Sequence, residues 1–238
     1  MIIKEYRVDP KILAINFNKN EVNDKFYREV VREFNSSGYT RLDLWGKGPC
    51  DLSKLTKIKN INSLGVLINA VNLHSLYEFK GLQDLFFGSI ITEPIDFNNI
   101  ISLKSLYIKN YNNNIVLPKK LNALTIPFDD ETKQLFREQE TSYPSIHVYE
   151  VPKLVSINDL GNINTRFLSI TLGRRLKNLQ GIKNIKDLEI LELAHLYNLE
   201  DISELAECKK IKALYIYNSK KIGNLIETLS KMTQLEEL

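Results

Sequence analysis

The sequence predicts an α/β repeat fold, a solenoid of about ten coils filling residues 1–238 as a single domain. Three observations carry that reading. The run LEILELAHLYNLEDI (188–202) places apolar residues at Leu188, Leu191, Leu193, Leu199 and Ile202. Those gaps suit neither a helix, which repeats every 3.6 residues, nor a strand, which repeats every two. The same five slots return 23 residues later as Ile211, Leu214, Ile216, Ile222 and Leu225. The first three slots, apolar-x-x-apolar-x-apolar, then recur along the chain at near-constant spacing, the signature of stacked supersecondary units.

From the N-terminus, the triples are Ile12/Ile15/Phe17, Tyr39/Leu42/Leu44, Ile61/Leu64/Val66, Leu82/Leu85/Phe87, Leu103/Leu106/Ile108, Leu121/Leu124/Ile126, Tyr143/Ile146/Val148, Phe167/Ile170/Leu172, Leu188/Leu191/Leu193 and Ile211/Leu214/Ile216. A partial copy begins at Leu235. The intervals are 27, 22, 21, 21, 18, 22, 24, 21, 23 and 24, and eight of these ten lie between 21 and 24. A chain that is 43% hydrophobic produces single triples by chance, but not that regularity.

Other elements follow in order. Residues 1–38 form an N-terminal cap, in which NEVNDKFYREVVREFNSSG (20–38) predicts an amphipathic helix over about 22–35. Val22, Phe26, Val30 and Phe34 share one face of it, and Gly38 lies beyond its end. The 18-residue interval at 103–121 contains YNNNIVLPKK, a shortened, turn-rich coil. Residues 128–142 predict a short helix started by Asp129 or Asp130, with Leu135 and Phe136 facing inward. The C-terminal MTQLEEL stops four residues into a strand, which reads as a chain shortened relative to its gene, or as an end that mediates homo-oligomerisation.

In these triples and their spacing the sequence resembles the leucine-rich repeat proteins, of the short bacterial or phosphatase-regulator type with repeats near 22 residues, over nearly the whole chain. The resemblance implies that each triple is a short strand of a curved parallel sheet on the concave face. The later apolar residues, as in LKNLQGIKNI and LYNLEDISEL, then lie on the short helices and turns of the convex face. It also implies a protein-recognition scaffold. The family's Asn or Cys at the ninth repeat position is present only as Asn20 and Asn69; Tyr111, Val151, Arg175 and Leu196 stand there in other copies, so the Asn ladder is broken.

Composition and motifs exclude several classes. The net charge of +3 comes from 32 basic and 29 acidic residues mixed along the chain, without the basic stripe that makes nucleic acid a partner. Lys4, Glu5, Arg7 and Asp9 interrupt the apolar core a signal peptide needs, and no run of 18 apolar residues exists to span a membrane. Cys50 and Cys208 form no metal-spaced pair, which points to reducing cytoplasm, and 24 Asn with abundant Ile and Lys suggest an AT-rich bacterial gene. No GxSxG, GxxxxGK[ST] or HExxH occurs, and His74, His147 and His195 have no convergent partners in the repeat register. No enzyme and no cofactor is expected.

The informative surface is the outer face of the strands. With positions one, four and six inward, positions three, five and seven point out. Those slots hold Trp45, Phe86, Tyr107, Tyr149, Tyr215 and Tyr217 beside the charges Arg41, Asp43, Asp84, Lys109 and Glu192, with His147 among them. Aromatics in a mosaic of both charge signs suit a protein partner. The sequence-level expectation is a non-catalytic protein-binding module, in its narrower form a cytoplasmic bacterial inhibitor or immunity protein that neutralises a toxin. The alternative is an exported effector that binds a host protein.

Overall fold

The apolar triples fold as short strands with two side chains sealed in the core. In most coils a turn of 3-10 or α-helix returns the chain, whereas residues 109–122 return through turns and the two-residue strand Ile115–Val116. The computed structural model describes residues 4–5, 11–19 and 22–238; Arg7, Asp9 and Asn20 lie outside them. Contacts divide the chain into two units, residues 1–121 and 122–238.

In unit one the strands of the main sheet are β1 (Lys4–Glu5), β2 (Ile12–Asn16), β3 (Arg41–Asp51), β4 (Ser63–Val71), β5 (Asp84–Phe87) and β6 (Ser105–Ile108), adjacent in chain order. β1 runs antiparallel to β2, and every later pair is parallel. The register stacks Leu42, Leu64, Leu85 and Leu106 in one row and Leu44, Val66, Phe87 and Ile108 in the next. All eight are at most 2% exposed. Each such side chain contributes about 1.5–3 kcal/mol of burial, and no coil could bury its row without a neighbour. Unit two repeats the plan with β7 (Ala123–Pro127), β8 (Ser145–Tyr149), β9 (Phe167–Gly173), β10 (Ile190–Leu196) and β11 (Ala213–Tyr217), all parallel.

Two helices appear close to where the sequence places them. α1 (Asp24–Ser36) is capped by Asn23, whose Oδ1 accepts from Phe26 N at 3.0 Å, and buries Phe26, Tyr27, Val30 and Phe34. Val22 precedes the cap and is 40% exposed, so it leaves the predicted apolar face and Tyr27 joins it. α2 (Asp130–Glu138) starts at Asp129, which accepts from Thr132 N at 2.9 Å, and buries Leu135 and Phe136. A third helix, α3 (Leu225–Lys231), follows β11, and beyond it Glu237 pairs with Ala213 in a single parallel bridge.

Two copies sit in a different register from the one read off the sequence. In the first, Leu13 and Ile15 lie opposite Leu42 and Leu44, where Ile15 and Phe17 were expected; Phe17 instead opens a 3-10 turn. In the other, Leu168 and Ile170 pair with Ile146 and Val148, two residues ahead of the expected Ile170 and Leu172. The cause is Thr165, which fills the first apolar slot at 2% exposure. Its hydroxyl lies 3.1 Å from the Pro144 carbonyl and 2.8 Å from that of Phe167, so burial leaves no polar atom stranded. Starting that copy at 165 makes the intervals from Tyr143 to Leu188 22 and 23 residues. Leu172 is consequently not core but 45% exposed.

The register shift exchanges one member of the sparse polar ladder for another. Asn18 moves to the ninth position, and its Oδ1 accepts from Lys47 N of the next coil at 2.6 Å. At the equivalent place in unit two, Ser219 Oγ accepts from Leu196 N at 3.2 Å. Asx turns built on Asp51, Asp96 and Asp201 open the returning segments, each carboxylate accepting from the N–H two residues on. Asn72 and Asn224 donate across coils to Asp51 and Asp201. At the eighth repeat position of four coils in unit two, Glu150, Leu172, His195 and Asn218 adopt left-handed backbone, at φ 47, 63, 57 and 51.

Candidate protein-binding face

Alternation along each strand fixes what its outer face presents. In unit one, position five runs Asp43, Gly65, Phe86, Tyr107 in hydrogen-bonded register, and Trp45 faces Leu67 at position seven. Phe86 and Tyr107, both half-buried, stack with ring centroids 4.0 Å apart and planes within 9°. A parallel stack of that closeness makes one continuous apolar slab from two side chains. Leu67 is 42% exposed, and Trp45 is half-buried with its indole N–H lacking an acceptor among the described residues. Arg41, Asp84 and Lys109 stand exposed around this patch.

Two glycines shape the patch. A Cβ on Gly65 would lie 2.5 Å from Asp43 Oδ1, so the Asp43 carboxylate occupies the space a side chain would take. There it is buried to 3% and accepts from Arg41 Nε at 2.9 Å. A Cβ on Gly88 would lie 3.0 Å from Leu67 Cδ2 and 3.1 Å from Phe86 Cε1. The missing side chain at Gly88 leaves room for Leu67 and Phe86 to lie close to the sheet.

Unit two presents a different face. Position five runs Thr125, His147, Ser169, Glu192, Tyr215. The His147 ring is half-buried, 3.1 Å from Ser145 Oγ through Nε2 and 4.9 Å from the Phe167 ring. Desolvation lowers its pKa below the ordinary value, with Glu192 pulling the other way, so the imidazole is neutral near pH 7. Tyr149 and Glu192 are half-buried, and Tyr217 is 51% exposed. The Tyr215 hydroxyl donates to the Glu237 carboxylate, which raises the phenol's pKa.

Seven predicted residues thus lie on unit one's face (Arg41, Asp43, Trp45, Asp84, Phe86, Tyr107 and Lys109) and five on unit two's (His147, Tyr149, Glu192, Tyr215 and Tyr217). Direct contact joins Arg41 to Asp43 and Phe86 to Tyr107. Leu67, Leu172 and Tyr197 are exposed apolar residues that the sequence reading did not select. For Leu172 the corrected register was the missing signal. Among the described residues no group of three or more His, Cys, Asp or Glu is placed to hold a metal, and no helix is long and apolar enough to cross a membrane.

Inward leucine rows, outward polar and aromatic rows, parallel strands one coil apart and a helical return in most coils settle the architecture. This is a leucine-rich repeat fold. No protein-family model and no curated protein matches the sequence. Among solved structures, the leucine-rich repeat chain is similar to an internalin from Listeria monocytogenes, at 14% identity and a TM-score of 0.45, over 96% of this chain and 66% of that one. It is also similar to a leucine-rich repeat protein of Leptospira interrogans, at 19% identity and a TM-score of 0.34, over 84% of this chain and 60% of that one. The chain therefore spans less than two thirds of the length of either.

Proposed function

We propose that this leucine-rich repeat chain is a non-catalytic protein-binding module whose strand face, above all in unit one, is the contact surface. The observation that carries the reading is the cluster of Trp45, Leu67, Phe86 and Tyr107 on the side of the sheet opposite the core. Four large apolar side chains on an outer face cover no core of their own, and rigid aromatics bury much area in a partner at little entropy cost. Arg41, Asp84 and Lys109 around them supply both charge signs, which suits specificity toward a protein and gives a polyanion no uniform field.

In its narrower form the proposal is a bacterial, cytoplasmic inhibitor of the immunity type, holding a partner such as a toxin. Cys50 and Cys208 are free, with burial pushing their thiols up to about 12 and about 11, which fits an unreactive pair in a reducing compartment. The test is a tagged pull-down from native lysate beside a Trp45→Ala/Tyr107→Ala variant. One protein retained by the wild type and lost by the variant supports the face; equal retention by both removes it. Recovery of the chain outside the producing cells would favour an exported effector acting on a host protein.

A further inference from the structure

A cleft lies away from the strand face, between α1 and the 3-10 turn Leu52–Leu55. The helix is tied to the following segment at both ends. At one end Lys54 pairs with Asp24, and Tyr27 Oη accepts from Asp51 N at 2.9 Å. At the other, Asn35 Nδ2 donates to the Lys57 carbonyl at 3.0 Å and its Oδ1 accepts from Lys59 N at 2.8 Å. Between the ties the two segments leave a cleft of about 550 Å³. Asp24 and Asn35 are separated by eleven residues of helix, about 16 Å, which an extended peptide covers in about five residues.

The cleft's chemistry is one-sided. Arg28, Arg32, Lys54 and Lys57 line it, with Asp24 as the sole carboxylate of the lining. Lys54 is committed to Asp24, and the pairing lowers the Asp24 pKa. Arg28, Arg32 and Lys57 make no ion pair with any described residue. Arg28 and Arg32 are one helical turn apart, so both guanidinium groups stand on the cleft side of α1. Exposure grades across the wall: Tyr27 is buried, Val31 half-buried and the cations exposed. The cleft thus has an apolar floor and a cationic rim.

We infer that this cleft binds an acidic peptide segment of a protein partner, with an apolar side chain on the floor and carboxylates against the Arg28 and Arg32 guanidinium groups. Three cations that form no ion pair with a described residue supply the charge complementarity, and arginine pairs carboxylates through two parallel hydrogen bonds. A bare phosphate would use the rim and leave the Tyr27–Val31 floor uncovered.

The experiment is fluorescence anisotropy on the full chain with a short labelled peptide rich in glutamate and carrying one leucine. Its glutamine counterpart and inorganic tripolyphosphate serve as competitors. The expected result is saturable binding of the glutamate peptide that weakens with added salt. Arg28→Gln/Arg32→Gln should weaken it about tenfold or more, and Arg28→Lys/Arg32→Lys by less, with unchanged circular dichroism. Trp45→Ala/Tyr107→Ala should leave it unaltered, which separates this cleft from the strand face. Equal binding of the glutamine peptide, an unchanged Gln variant, or tripolyphosphate displacing the peptide more strongly than unlabelled glutamate peptide would each overturn the inference.

Discussion

The strand faces of the two units are built on the same backbone and the same inward leucine rows, and they differ in nearly every outward side chain. Unit one sets Trp45, Leu67, Phe86 and Tyr107 beside Gly65 and Gly88; unit two sets Thr125, His147, Ser169, Thr171 and Ala194 in the corresponding rows, with tyrosines only at β8 and β11. The difference teaches that in a repeat protein the core determines where a surface lies and leaves free what it is made of. Inward positions answer to neighbours on both sides, whereas outward positions answer to water or to a partner. Apolar mass concentrated on one face is therefore information about binding, because stability did not demand it there.

That separation is tested most severely in the core. Leu64→Ala in unit one and Leu191→Ala in unit two remove side chains that are 1% and 0% exposed. Each should cost about 2–5 kcal/mol in urea denaturation, because a coil clamped between two others cannot collapse around the cavity. Costs of similar size would show the two cores to be equivalent. A loss under about 1 kcal/mol at either site would mean that its coil is not packed as tightly as its partner's. On the faces the comparison should instead be lopsided. Trp45→Ala or Tyr107→Ala should each weaken partner binding by about 2 kcal/mol or more, with Thr125→Ala and Thr171→Ala well below that, as titration calorimetry with the captured partner would show.

The glycine beneath the unit-one patch gives a smaller and more pointed test. Gly65→Ala places a methyl 2.5 Å from Asp43 Oδ1, a contact that must be relieved by lifting the carboxylate from its bond to Arg41. The expected loss is about 1–3 kcal/mol of stability. If the clash is the cause, the same substitution should cost much less in an Asp43→Ala background, a coupling read from a double-mutant cycle. Equal costs in both backgrounds would assign the effect to the backbone instead.

These contrasts also show what the sequence could and could not reveal. The triple and its spacing were legible because a core row tolerates only apolar side chains, so Leu42, Leu64, Leu85 and Leu106 announce themselves. The register failed where a polar residue took an apolar slot. Thr165 is buried through hydrogen bonds to two carbonyls supplied by the fold, and the template slid forward to Phe167. The aromatics were legible as outward positions, but the flat slab of Phe86 and Tyr107 was not. Its Phe86 ring lies where a Cβ on Gly88 would meet it, so the contribution of that glycine is the absence of a side chain at a place known only from the coordinates. The cleft at α1 was illegible for a related reason: Arg28 and Lys57 lie 29 positions apart and meet only because the helix is tied down at both ends.

The smallest expected effect concerns the row of left-handed residues at the eighth repeat position of unit two. Glu150, Leu172, His195 and Asn218 occupy the same place in four successive coils, so there the conformation is held by four different residue types. Asparagine visits it at little cost, whereas for leucine the Cβ crowds the following carbonyl by about 1–2 kcal/mol. Leu172, at φ 63 and 45% exposed, carries that strain while burying only part of its side chain. Leu172→Asn should therefore raise stability by up to about 1 kcal/mol, and Asn218→Leu should lower it by a similar amount, both visible as shifts in the thermal midpoint. Should Leu172→Asn destabilise, its half-covered side chain must contribute more through burial than the backbone loses. Leu172 would then count with the scaffold, and the apolar surface of unit two would shrink to its tyrosines.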